Sequence, residues 1–72
     1  MNLSFYDYMK TFANEESNDP TSRLANIMVK DQSFPKHENN FETISNYLEH
    51  EIKYSKLLLI FDEVWQKYQY EL

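Results

Sequence analysis

The sequence contains no cysteine and no glycine among its 72 residues. Without cysteine there can be no disulfide, no thiol nucleophile and no zinc site with Cys ligands. The phosphate-binding loop, the dinucleotide fingerprint and the nucleophile elbow each require glycine at fixed positions, so the absence of glycine excludes these three kinds of site. Left-handed backbone positions are expected to fall to asparagine, which tolerates them best after glycine.

Basic residues and long apolar runs are also scarce. The net charge of −5 disfavours nonspecific binding to DNA or RNA. The first four residues carry neither a basic region nor an apolar run, which predicts no signal peptide. The longest apolar run, residues 57–61, is far shorter than the ~20 residues that span a bilayer. Together with the missing cysteine, these features predict one cytoplasmic domain over residues 1–72, without a membrane segment.

Aromatic residues are abundant, with five Phe, six Tyr and one Trp. A chain this short buries only about 60% of its unfolded surface, and its stability margin is about 3–5 kcal/mol. Each aromatic side chain buries about 150–250 Å². We therefore expect a few of them to fill a small core.

Helix starts are marked by Ser4, by Asp19 followed by Pro20, and by Asn39 or Asn40. Apolar residues then recur at helical spacing in three stripes: Phe5, Tyr8, Met9 and Phe12; Leu24, Ile27 and Met28; Phe41, Ile44, Tyr47 and Leu48. The first helix is expected to end near residue 13 and the second near residue 31.

A last stripe marks a longer C-terminal helix. Its members are Tyr54, Leu57, Leu58, Phe61, Val64, Trp65 and Tyr68. Leu48 and Tyr54 are about 240° out of phase on one helix, which predicts a break around residues 50–53. Phe34 must be extended before Pro35, and we expect its ring to enter the core from a loop. The pattern predicts an all-α fold of four or five short helices, with Phe61 and Trp65 in the core.

Several segments resemble one known family: Ser4-Phe5-Tyr6, Phe34-Pro35-Lys36, Ile44-Ser45 with Tyr47-Leu48-Glu49, and Phe61-Asp62-Glu63 with Trp65 and Tyr68. They are similar to the YozE family, short proteins of low-GC Gram-positive bacteria. The resemblance covers nearly the whole chain. It implies a compact orthogonal array of helices like the sterile alpha motif. It implies no activity, because the family is one of unknown function and the fold hosts several functions.

No group of residues has the spacing of a catalytic or metal site. His37 and His50 are thirteen residues apart, whereas zinc sites show close His pairs or supporting Cys. Asp62 and Glu63 are adjacent, so on a helix their carboxylates diverge and cannot form a catalytic pair. We therefore expect no catalytic residue, no metal, no cofactor and no small-molecule substrate, and we do not expect an enzyme.

The far side of the last helix carries a candidate partner face. With Leu57 at 0°, Leu59 lies at about 200° and Tyr70 at about 220°, opposite the core stripe. Asp62, Glu63 and Gln66 lie around them. Two other readings stay open: the two apolar residues are exposed incidentally, or the first helix folds back over Leu59. As a partner face, this surface suits a basic-rimmed protein or a second copy of the chain.

The leading hypothesis is therefore a non-enzymatic cytosolic module that binds an unknown protein or itself. The alternative is a nucleic-acid-binding accessory protein, in which four lysines converge near stacking tyrosines. These lysines are Lys30, Lys36, Lys53 and Lys56. Their arrangement in the structure distinguishes the two hypotheses, because only a shared face favours nucleic acid.

Overall fold

The structure, a computed structural model, describes residues 3–71. This part of the chain forms four α-helices and one 3₁₀ helix, and it contains no strand. The elements are α1 (Phe5–Lys10), α2 (Pro20–Lys30), α3 (Phe41–Glu49), the 3₁₀ helix (Ile52–Tyr54) and α4 (Leu58–Glu71). The predicted all-helical fold with a longer C-terminal helix is confirmed. None of these helices is long and apolar enough to cross a bilayer.

The first three helices begin where the capping residues predicted. The side chain of Ser4 accepts a hydrogen bond from the backbone N–H of Asp7 at 3.1 Å. Asp19 caps α2, whose first position is occupied by Pro20. Asn40 caps α3. Each cap satisfies backbone donors that a helix leaves without an intrahelical partner, so local sequence sets these three boundaries.

The helix α1 ends earlier than predicted, at Lys10 rather than near residue 13. The hydroxyl of Thr11 donates a hydrogen bond to the carbonyl of Tyr8 at 2.7 Å and closes the last turn. Phe12 therefore leaves the predicted stripe and is 36% exposed. Tyr6, which the stripe omitted, is buried, and its ring centroid lies 5.7 Å from that of Phe34.

The predicted break between α3 and α4 is confirmed, but it is longer than predicted. The helix α3 ends at Glu49 and α4 begins at Leu58. Tyr54, predicted as part of the last helical stripe, instead lies on the intervening 3₁₀ helix. It is fully buried there, and its hydroxyl donates a hydrogen bond to Asp31.

One apolar core joins all of these elements. Its buried members are Phe5, Tyr6, Met9, Leu24, Ala25, Met28, Phe34, Ile44, Leu48, Tyr54, Phe61, Val64, Trp65 and Tyr68. Phe61 and Trp65 are buried as predicted. Phe34 is 3% exposed, which confirms that a loop residue fills part of the core.

The connections between the helices contain no left-handed residue. Within residues 3–71 no φ angle is positive, so the expectation that asparagine takes left-handed positions is wrong for this part of the chain. The loops turn instead through hydrogen bonds between residues three apart. Two examples are Ser17 N–H to the carbonyl of Asn14 at 3.1 Å and Glu38 N–H to that of Pro35 at 3.2 Å.

Candidate functional site

The C-terminal helix has one buried and one exposed side. Phe61, Val64, Trp65 and Tyr68 face the core. The opposite side, here called the outer face of α4, consists of Leu59, Asp62, Glu63, Gln66 and Tyr70. All five of these side chains are exposed. Their exposure agrees with the side of the helix that their angular positions predicted.

The two apolar members of the outer face stand clear of the rest of the molecule. Leu59 is 78% exposed and Tyr70 is 92% exposed. The helix α1 packs against α2 and α4 without covering Leu59. The alternative in which α1 folds back over Leu59 is therefore wrong. At the helical rise, Leu59 and Tyr70 lie about 16 Å apart along the axis, which is a span that one docked helix or strand can contact.

Two carboxylates lie between these apolar side chains. Among residues 3–71, neither Asp62 nor Glu63 forms an ion pair within 4 Å. One lysine, Lys67, follows Glu63 by four residues on the same helix. The outer face therefore presents apolar anchors with a net negative charge around them, and its acidic groups are available to an incoming partner.

A shallow groove lies on each side of Gln66. The first, here called the aromatic groove, has a volume of about 530 Å³ and is lined by Phe41, Asp62, Trp65, Gln66 and Gln69. The second, here called the tyrosine groove, has about 360 Å³ and is lined by Glu63, Gln66, Lys67, Tyr70 and Glu71. The predicted face thus extends into concave surface on both of its flanks.

Phe41 reaches the aromatic groove from the first position of α3. Its ring stacks on Phe61, with centroids 5.5 Å apart and planes 13° from parallel, and its centroid lies 5.4 Å from that of Trp65. It remains 39% exposed. The sequence placed Phe41 on the core stripe and missed this surface role.

The terminal segments meet beside the tyrosine groove. The hydroxyl of Tyr8 donates a hydrogen bond to Glu71. Burial, together with that carboxylate, raises the pKa of Tyr8 to about 12. The hydroxyl of Tyr68 donates to the carbonyl of Leu3 at 2.5 Å, and burial raises the pKa of Tyr68. These contacts hold the last turns of α4 against α1 and against Leu3, and they fix the position of Glu71, which lines the tyrosine groove.

A buried carboxylate that the sequence did not reveal lies at the end of α2. Asp31 is 5% exposed and accepts hydrogen bonds from the hydroxyls of Tyr47 at 2.6 Å and Tyr54 at 2.8 Å. Its other oxygen accepts from Ser33 N–H and from the Lys53 ammonium, each at 3.1 Å. All of its partners belong to this chain, so the cluster joins α2, α3 and the 3₁₀ helix.

The charges in this cluster depend on one another. Burial alone would raise the pKa of Asp31, but the hydrogen bonds from Tyr47, Tyr54, Lys53 and Ser33 outweigh it and lower the pKa from 3.8 to about 2. Burial and the contact with Asp31 raise the pKa of both tyrosines above their usual range. Asp31 is therefore ionised and both hydroxyls are protonated at neutral pH, which is the arrangement of a structural hydrogen-bond network.

The four lysines of the nucleic-acid hypothesis make different contacts. Lys30 pairs with Glu15 at 2.7 Å, and Lys53 pairs with Asp31. Lys36 lies over the ring of Tyr6, 5.8 Å from its centroid. Lys53 and Lys56 do share a third groove of about 390 Å³, lined by Arg23, Ile27, Ile52, Lys53, Ser55, Lys56 and Leu57. The basic groups that come together are thus two of the four lysines with an arginine.

His50 makes a hydrogen bond within its own helix. The Nδ1 atom of His50 lies 2.6 Å from the carbonyl oxygen of Asn46, one turn earlier, so it carries a hydrogen and donates it. Among residues 3–71, no three His, Cys, Asp or Glu side chains converge in a way that would hold a metal ion.

Comparisons with known proteins agree with the helical architecture. The family described as the YozE SAM-like fold matches residues 4–70. Two similar relatives are UPF0346 proteins of Streptococcus pyogenes, from serotype M5 (strain Manfredo) and serotype M49 (strain NZ131). Each is 46% identical over 68 residues, covering 94% of this chain and 96% of the relative. No solved structure matches significantly. The match over almost the entire length shows that the chain belongs to the YozE SAM-like family.

Proposed function

We propose that this chain is a non-enzymatic protein-interaction module of the bacterial cytosol, and that its docking surface is the outer face of α4. The observation that carries the proposal is the exposure of Leu59 and Tyr70 on one side of a helix whose other side is core. Carboxylates lie between these two anchors, and a groove lies on each flank.

The chemistry of this face suits a protein partner. Burying a leucine side chain contributes about 1.5–3 kcal/mol, and a tyrosine buries about 150–250 Å² with a hydroxyl left for a hydrogen bond. Binding energy at interfaces concentrates in a few such central anchors. The surrounding Asp62 and Glu63 favour a partner with a basic rim, because opposite charges speed encounter and fix orientation.

A nucleic-acid-binding role is the second candidate, and the groove beside Arg23, Lys53 and Lys56 is the observation in its favour. Two observations weigh against it. Lys53 is already paired with Asp31, and the chain as a whole carries a charge of −5. Since affinity for nucleic acid rises with the number of phosphates neutralised, a protein partner is the better supported proposal.

The proposal is tested by Leu59→Lys, with Ile52→Lys as the matched control. Both residues are exposed apolar side chains, Leu59 on the outer face and Ile52, which is 90% exposed, on the 3₁₀ helix. The free energy of unfolding of each variant should lie within about 0.5 kcal/mol of that of the parent, because neither change disturbs the core.

The measurements are affinity capture from a native cell lysate and sedimentation equilibrium of the purified chain. Leu59→Lys should weaken partner capture or self-association at least about tenfold, as the loss of a central anchor does. Ile52→Lys should leave both unchanged, because Ile52 lies on the third groove and outside the outer face of α4. Equal binding by the two variants would show that the outer face of α4 is not the docking surface.

A further inference from the structure

The aromatic groove has a composition that suits one kind of side chain. Its apolar surface comes from Phe41 and Trp65, and its polar surface comes from Asp62, Gln66 and Gln69. The other three members from α4 lie three, four and seven residues after Asp62, so the four form one stripe on the surface of the helix. Phe41 arrives from α3 and closes the side of the groove.

The aromatic surface offers a platform for a flat cation. Phe61 stacks on one face of the Phe41 ring, while Phe41 as a whole is 39% exposed. The rings of Phe41 and Trp65 lie close together, with centroids 5.4 Å apart. Aromatic faces attract cations, and the planar guanidinium of arginine stacks on them more often than the ammonium of lysine does.

The polar groups beside this platform complete the match. Asp62 is exposed and has no ion pair within residues 3–71. A carboxylate binds two guanidinium N–H groups in parallel, which lysine cannot reproduce. The amide oxygens of Gln66 and Gln69 can accept the remaining N–H groups. An apolar side chain would leave these polar groups without partners.

We propose that the aromatic groove receives an arginine side chain from a basic segment of the partner. The guanidinium plane stacks on Phe41 beside Trp65, and its N–H groups donate to Asp62, Gln66 and Gln69. This inference rests on the proposed function, because the groove shares Asp62 and Gln66 with the outer face of α4. It adds the residue type that the partner presents.

The test uses N-acetylarginine amide as the probe. The chain has one tryptophan, Trp65, in the groove. Its indole N–H signal and its fluorescence therefore report binding directly. The probe should shift both signals with a dissociation constant of about a millimolar, as expected for a single side chain. N-acetylcitrulline amide has nearly the same shape without the charge and should bind at least about tenfold more weakly. Equal binding of the two probes would overturn the proposal.

Variants locate the binding site. Asp62→Asn should weaken binding of N-acetylarginine amide at least about tenfold, whereas Glu49→Gln, at an exposed carboxylate that ends α3 and lines neither groove, should leave it unchanged. Phe41→Leu should also weaken it, with far-UV circular dichroism verifying that the helices remain. If Glu49→Gln weakened binding as much as Asp62→Asn does, the effect would be one of general charge and the groove would not be the site.

The outcomes for the groove and for the outer face are distinguishable. If the probe does not bind while Leu59→Lys abolishes partner capture, the arginine inference is wrong and the proposed function stands. If Asp62→Asn removes probe binding while Leu59→Lys leaves partner capture unchanged, the groove stands and the proposed docking surface is wrong.

A second copy of this chain could place only Arg23 in the aromatic groove, because Arg23 is the single arginine of the chain. A Trp65 signal that depends on protein concentration and disappears in Arg23→Gln would support the groove and identify that source.

Discussion

Replacement of Asp31 by asparagine removes a charge from beneath two tyrosine hydroxyls and a lysine while keeping the shape of the side chain. The folded environment lowers the pKa of Asp31 from 3.8 to about 2, which corresponds to about 2 kcal/mol of stabilisation of the folded state. Asparagine also places an N–H₂ donor at the position of one of the two carboxylate oxygens, both of which accept hydrogen bonds in the parent. We therefore expect Asp31→Asn to destabilise the fold by about 2 kcal/mol or more.

That loss is large for a chain of this size. A single core of this kind leaves a margin of about 3–5 kcal/mol, and each kcal/mol moves the melting temperature by about 4–8 °C. Asp31→Asn should melt about 8–16 °C below the parent at pH 7. Thermal and urea denaturation followed by far-UV circular dichroism measures this difference. Asp19→Asn is the matched control, since asparagine caps a helix about as well as aspartate.

The same network predicts how the difference depends on pH. The pKa of Asp31 is lower in the folded than in the unfolded state, so its stabilisation is present above pH 3.8 and is lost as the pH falls toward about 2. The difference in free energy of unfolding between the parent and Asp31→Asn should therefore become smaller over that range. Two results would refute the assignment of this stabilisation to the Asp31 charge. One is a difference in free energy of unfolding below about 0.5 kcal/mol at pH 7, and the other is a difference that stays constant down to pH 2.

Two further predictions concern the core. Trp65→Ala should cost about 3–5 kcal/mol and unfold the domain, whereas Tyr70→Ala, at a residue 92% exposed, should change stability by less than about 0.5 kcal/mol. Equal melting curves for these two variants would show that the core is misplaced. Tyr54→Phe removes one donor to Asp31, so the pKa of Asp31 should rise toward 3.8. Carboxyl carbon NMR titration measures this, and an unchanged pKa would contradict the role of the Tyr54 hydroxyl.

The features that the sequence predicted depend on neighbouring residues. A cap such as Ser4 acts on donors two or three residues away, and Pro20 fixes its own backbone angle, so helix starts are local properties. The outer face of α4 was predictable for a related reason. Once a helix is recognised, the positions of Leu59 and Tyr70 opposite the core follow from its 100° step.

The features that the sequence missed depend on contacts between distant segments. Tyr47 and Tyr54 reach Asp31 from 16 and 23 residues away, and no local pattern brings them together. One signal was available: an aspartate at the C-terminus of a helix opposes the helix dipole and therefore calls for partners from elsewhere. The aromatic groove was missed similarly, because the exposure of Phe41 depends on how α3 meets α4.

The all-negative φ angles of residues 3–71 have a consequence for the unfolded chain. At average usage of about 7%, a protein of this length contains about five glycines, whereas this one contains none. At a position with an ordinary backbone angle, replacing glycine stabilises the fold by about 0.4–1 kcal/mol, because the unfolded state loses conformational freedom. Five such positions amount to about 2–5 kcal/mol, comparable with the margin of the whole domain. Part of this protein's stability therefore comes from the lower conformational entropy of its unfolded chain.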